Sequence, residues 1–62
     1  MDLGARLKSE RLRLGLNQAE FASLANVGKS SQINYESGER IPDFNYLIAL
    51  SSHGVDVSYV LL

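Results

Sequence analysis

Apolar residues recur along the chain at helical spacing, and the gaps between apolar runs hold residues that start or stop helices. Leu3, Leu7 and Leu14 fall on one stripe at i, i+4 and i+11, which predicts a first helix over residues 2–14, capped by Asp2 and ended by Gly15. Gly4 lies inside it and weakens its propensity. Asn17 and Glu20 then stand at capping-box spacing, with Leu16 and Phe21 at staple spacing, so a second helix runs to Ala25 and turns Phe21, Ala22 and Ala25 inward. Asn26 sits where the chain must reverse, and Asn is the non-glycine residue that most readily takes positive φ. Val27 fills the corner and Gly28 precedes a third helix from about Lys29 to Ser37, which Gly38 ends as an αL cap. After the loop Glu39-Arg40-Ile41-Pro42, Asp43 caps a fourth helix through about Ser52, with Phe44, Leu47, Ile48 and Leu50 as its apolar face. Gly54 closes it, and Asp56 caps a last short helix with Val55 and Val60 at staple spacing. The reading is all-α, a single domain over residues 1–62 built of five short helices.

Helices 2 and 3 about the Asn26–Gly28 corner make a helix-turn-helix, whose second helix projects into a DNA major groove. Side chains in the first turn of such a helix, and one a turn further on, point down the groove; here these are Lys29, Ser30 and Asn34. Lys29 has the chemistry to donate to guanine O6 and N7, and Asn34 or Gln32 to bond adenine at two points. The blander reading has Lys29 meeting only phosphate and the serines only capping the helix. Arg11 breaks the apolar stripe between Leu7 and Leu14, so its guanidinium either reaches out to water or meets a buried carboxylate, for which Glu36 is the leading candidate.

The run Leu-Asn-Gln-Ala-Glu-Phe-Ala at residues 16–22, the turn that follows and the Tyr-Glu-Ser-Gly ending at residues 35–38 resemble the helix-turn-helix of lambda-repressor-like proteins of the Xre/Cro type. The resemblance extends from Leu3 to Leu61, and its most specific parts are Gln18, Ala22, Glu36 and Gly38. It implies a compact five-helix lambda-repressor-like domain that binds a double-stranded DNA operator as a transcriptional regulator, a repressor of phage or prophage type acting by occlusion or positioning. It also implies an Arg11–Glu36 ion pair tying helix 1 to the recognition helix, and a Gln18 that donates to a DNA phosphate, with Ser37 and Arg40 facing the backbone beyond. The chain departs from the family where an aliphatic residue is usual and Gln32 stands instead, next to the apolar Ile33. Either Gln32 is buried with its amide satisfied, or the helix is rotated to turn Ile33 inward; in the second case Ser31 or Gln32 swings onto the reading face.

Composition adjusts this picture only slightly. A formal net charge of −1 counts mildly against nucleic acid, but four of the six basic residues, Arg6, Lys8, Arg11 and Arg13, fall within one short stretch while the acids are scattered. There is no cysteine, no metal cluster and no phosphate-binding glycine loop. His53 is the sole histidine, and the serines lack a nucleophile-elbow context, so an enzyme is the poorest reading and no cofactor is expected. No apolar run approaches the ~20 residues of a membrane span and no signal peptide opens the chain, which suits a cytoplasmic protein. One recognition helix reads few base pairs, so a homodimer, at least on DNA, is expected. Tyr59, Leu61 and Leu62 either finish the core or belong to a subunit interface. The competing reading of the whole chain is a helical protein-interaction module, an antitoxin-like partner-binding domain for example, warranted by the acidic balance and the apolar C-terminus.

Overall fold

A computed structural model describes residues 2–62. Its five helices are α1 (Leu3–Arg13), α2 (Gln18–Leu24), α3 (Lys29–Ser37), α4 (Phe44–Ser51) and α5 (Val57–Leu61). Short polar side chains open four of them. Asp2 accepts from the Ala5 N–H, Asp43 from Tyr46 and Asp56 from Tyr59. Asn17 and Glu20 complete a reciprocal capping box, with bonds of 2.7 and 2.9 Å. Only α3 begins without a side-chain cap, at Gly28, so Ser30 and Ser31 are helical residues and not caps.

The turn between α2 and α3 forms as the residues dictate. Asn26 takes φ 57°, its N–H bonds the Ser23 carbonyl, and the Val27 N–H reaches back to the Ala22 carbonyl at 3.1 Å. This is the Schellman pattern, in which two orphan carbonyls of α2 are satisfied while the chain reverses. Gly38 ends α3 at φ 86°.

Leu7, Phe21, Ala25, Tyr35, Tyr46, Leu47, Leu50, Val55 and Val60 form the core, with Leu3, Leu14, Leu16 and Val27 partly buried against it. The recognition-type helix α3 rests on both α1 and α2, and α5 returns to α1. Gly4, which costs helix propensity, is what permits that approach. A Cβ there would stand 2.3 Å from the Glu36 carbonyl oxygen and 2.8 Å from that of Tyr35, so the α1 backbone lies directly against the end of α3.

The apolar face expected for α4 is only half right. Leu47 and Leu50 are buried, but Phe44 is 74 % exposed and Ile48 53 % exposed; Tyr46 takes the inner place. Tyr46 earns burial because its ring meets Tyr35 edge-on, with centroids 4.8 Å apart, and its hydroxyl finds a partner in the core. Turning Tyr46 inward puts Phe44 and Ile48 on the opposite side of the helix. At the C-terminus, only Val60 joins the core; Tyr59, Leu61 and Leu62 stay exposed.

A second polar link fastens the C-terminal segment to α1. Both oxygens of the buried Glu10 accept from Arg13 at 2.8 Å, one also accepts from the Asp56 N–H at 2.7 Å, and Arg13 donates onward to the Gly54 carbonyl. The Arg13 hydrogen bonds hold the Glu10 carboxyl down at about 2, against burial, which favours the neutral acid, and with help from the Asp56 N–H. A carboxyl whose folded pKa is depressed contributes stability that is complete above its unfolded value and lost as pH falls through the folded one. The melting temperature is therefore expected to fall between about pH 4.5 and pH 2, and Glu10→Gln to be less stable at neutral pH with a flatter acid limb. Thermal melts across that range check this; an unchanged acid limb in Glu10→Gln contradicts it.

Candidate nucleic-acid interface

The sequence leaves the rotation of α3 open, and the structure decides it. Gln32 is 0 % exposed and Tyr35 is buried, while Ile33 is 41 % exposed. Lys29, Ser30 and Ser37 are also exposed and Asn34 is half-buried. At 100° per residue, positions 29, 30, 33, 34 and 37 share one side of the helix. The helix is not rotated to bury Ile33.

Two expectations change accordingly. Gln32 is no base-reading residue: its amide is consumed inside the core, accepting from the Tyr46 hydroxyl at 2.5 Å and donating to Glu36 Oε2 at 2.8 Å. Ser31 does not swing onto the outer face either; it stays half-buried at the flank. In their place the structure brings out Ile33, between Ser30 and Asn34. An exposed isoleucine on this face offers methyl groups of the kind that contact the thymine C5-methyl in a major groove. The signal for it was the Gln32–Ile33 pair itself, but apolar burial alone points the wrong way.

The carboxylate of Glu36 ties the end of α3 to α1 and α2. Its two oxygens accept from Arg11 Nε at 2.7 Å and Arg11 Nη2 at 3.0 Å, a bidentate pair, and also from the Gln32 and Gln18 amides. Arg11 Nη1 adds a bond to the Leu16 carbonyl, so one guanidinium joins α1, the entrance to α2 and the end of α3. The expected Arg11–Glu36 bridge is thus present, with side chains 9 % and 5 % exposed. Burial pushes the Glu36 carboxyl up, but the Arg11 and Gln32 hydrogen bonds outweigh it and leave the group below its ordinary value. Burial likewise drives the Tyr46 hydroxyl above the ordinary phenol range, so it remains a protonated donor to Gln32.

Gln18 is half-buried and gives one amide hydrogen to Glu36 at 3.3 Å. Gln18 also lines a recess of about 310 Å³ together with Arg11, Asn17, Ala19 and Lys29. Lys29 makes no salt bridge among the described residues. At the end of α3 the Ser37 hydroxyl donates to the Asn34 carbonyl and accepts from the Glu39 N–H, while Arg40 beyond it lies over the Tyr35 ring at 5.8 Å. Of the basic run on α1, Lys8 is exposed and the three arginines are engaged within the fold. Arg11 and Arg13 are spent on Glu36 and Glu10, and Arg6 donates to the Tyr59 carbonyl while lying over its ring. His53 is exposed, and among the described residues no acid, histidine or cysteine cluster could hold a metal. No described helix is long and apolar enough to cross a membrane.

A family model described as "Helix-turn-helix" matches residues 7–53, which take in both motif helices and both partners of the Arg11–Glu36 bridge. Over 62 residues the chain is 40% identical to the HTH-type transcriptional regulator ImmR of Bacillus subtilis (strain 168). That match covers 98% of this chain and 49% of ImmR, so the chain spans about half the length of the curated relative. No solved structure gives a significant match. With the capping box, the Asn26 turn and the Glu36 bridge in place, the chain belongs to the lambda-repressor-like (Xre-type) helix-turn-helix family, whose members bind DNA and carry out no catalysis.

Proposed function

We propose that this chain binds double-stranded DNA sequence-specifically and regulates transcription in the cytoplasm as a repressor of phage or prophage type, by occupying an operator. The observation that carries the reading is the outer face of α3, where Lys29, Ser30, Ile33 and Asn34 stand together, clear of the core, on a helix locked by Glu36. Lys29 and Asn34 bring donors and acceptors for guanine and adenine, Ser30 a small adaptable hydroxyl, and Ile33 an apolar contact for thymine. Gln18 at the rim of the recess, with Ser37 at the end of α3 and Arg40 past it, supplies contacts to the phosphate backbone that set register without reading sequence. The net charge of −1 matters less than where the charges sit: positions 29, 30, 33, 34 and 37 of the outer face carry no acid and one base, Lys29.

Two copies on a pseudo-palindrome complete the recognition, since a single helix of this length covers only a few base pairs. Phe44, Ile48 and Leu61 line one groove with Leu47, Ser51 and Val57, and it shares no residue with the reading face. A second copy of this chain is the occupant that the reading requires there: it covers exposed apolar side chains and leaves both α3 faces free for DNA.

Selection of bound sequences from random duplexes supplies the operator. Against it, Lys29→Ala, Ile33→Ala and Asn34→Ala are each expected to cost about 1–3 kcal/mol and to relax preference at one base pair, whereas Gln18→Ala weakens all sequences alike. Uniform weakening in every variant would demote the α3 residues to backbone contacts, and wild-type binding in all of them would move the reading face elsewhere. If the chain acts only as a protein-interaction module, the selection yields no salt-dependent binding at all.

Footprinting tests the pairing. Two symmetric half-sites about 34–36 Å apart are expected, reduced in Ile48→Asp to weak protection of single half-sites. One unsymmetrical half-site at saturation in the wild type contradicts a dimer.

A further inference from the structure

Tyr46 lies on α4 and has no place on the outer face of α3, yet it decides which side of α3 faces out. Gln32 and Ile33 are neighbours that compete for the same inner position, and apolar burial taken alone favours Ile33. Gln32 occupies that position because both ends of its amide have partners in the core. Its nitrogen donates to Glu36 at 2.8 Å and its oxygen accepts from the Tyr46 hydroxyl at 2.5 Å, and no buried side-chain nitrogen or oxygen among the described residues is left unbonded. Tyr46 is the one donor to that oxygen among the described residues. Without it, a carbonyl would be buried with its hydrogen bond unmade, and the balance would tip toward Ile33.

The two halves of α3 are not equally free to respond. Its C-terminal half is fixed by the Arg11–Glu36 bridge and by the backbone contact at Gly4. Any displacement must therefore fall on the N-terminal half, where Lys29, Ser30 and Ile33 lie.

We infer that the Tyr46 hydroxyl is a positioning group for sequence recognition: by satisfying Gln32 inside the core it fixes the rotation of the N-terminal half of α3, keeps Ile33 outward, and so sets which bases the domain prefers. The inference rests on the DNA-reading function proposed above. Tyr46 acts through Gln32 and touches no DNA.

Tyr46→Phe removes one oxygen atom and leaves the ring to pack against Tyr35. It is expected to lose about tenfold in discrimination between the selected operator and variants at the bases under Lys29 and Ile33, the loss that follows when one base contact is displaced. The slope of log affinity against log salt stays unchanged, because the phosphate contacts remain. In DNA-free protein, the Ile33 methyls should become less accessible to a soluble paramagnetic probe in NMR spectra. Adding Gln32→Leu to Tyr46→Phe removes the orphaned carbonyl and makes the inner position apolar again, so discrimination and Ile33 accessibility should both return. A merely structural tyrosine would lower the melting temperature of Tyr46→Phe and leave base preference and Ile33 accessibility as in the wild type; that result overturns the inference. Failure of Gln32→Leu to restore either property overturns it too, since the unbonded oxygen would then not be the cause. Should Tyr46→Phe not fold, the double variant decides: a restored fold with wild-type base preference supports the inference, and anything less overturns it. A wild-type chain that binds no DNA overturns the recognition reading and this inference with it, while the Ile33 measurement still reports whether the hydroxyl sets the rotation.

Discussion

The structure depends on one buried carboxylate. Glu36 lies near the end of α3 and accepts from Arg11 on α1, Gln18 on α2 and Gln32 on its own helix, whose amide continues to Tyr46 on α4. A charge taken out of water is costly, and a buried ion pair often contributes no more net stability than apolar residues of the same shape. What it contributes here is uniqueness. Apolar packing would accept several rotations of α3, because Ile33 and Gln32 flank the inner position, but hydrogen bonds of fixed direction accept one.

That constraint explains how so small a domain can hold a reading surface steady. Below roughly 70–80 residues a single core supplies little stability, and a sequence with no cysteine cannot add a disulfide to it. Two arginine–carboxylate links fasten it instead, both from the C-terminal end of α1. Arg11 with Glu36 fixes the recognition helix, and Arg13 with Glu10 fixes the segment from Gly54 into α5. The first positions the face proposed to read DNA, the second closes the core beneath Val55 and Val60. The apolar groove along α4 and α5 is left over from this arrangement, because Tyr46 takes the inner place and turns Phe44 and Ile48 outward.

Most of the fold was legible because its signals are local. Caps such as Asp2, Asn17, Asp43 and Asp56 need only the next three residues to act, and Asn26 and Gly38 announce their backbone conformation by their chemistry. The Arg11–Glu36 bridge was legible for a different reason: a charge on an apolar stripe demands a partner. Three features stayed hidden, and all depend on contacts distant in sequence. From sequence Gly4 only weakens α1; its use is that the backbone of Glu36 lies against it. The face of α4 was misplaced because a tyrosine counts as half polar until its hydroxyl has a partner. The rotation of α3 could not be read at all, since the bond that decides it joins residues 14 positions apart.

The central claim is that the Arg11–Glu36 pair, and not apolar contact alone, holds α3 in place. A double-mutant cycle on unfolding free energy tests it most directly, using Arg11→Met, Glu36→Leu and the two together. Removing one partner strands the other charge in the core, so each single variant should lose roughly 3–5 kcal/mol, while the double variant, with no stranded charge, should lose less than the sum by several kcal/mol. Single losses that simply add, or that stay within a few tenths of a kcal/mol of wild type, would contradict it.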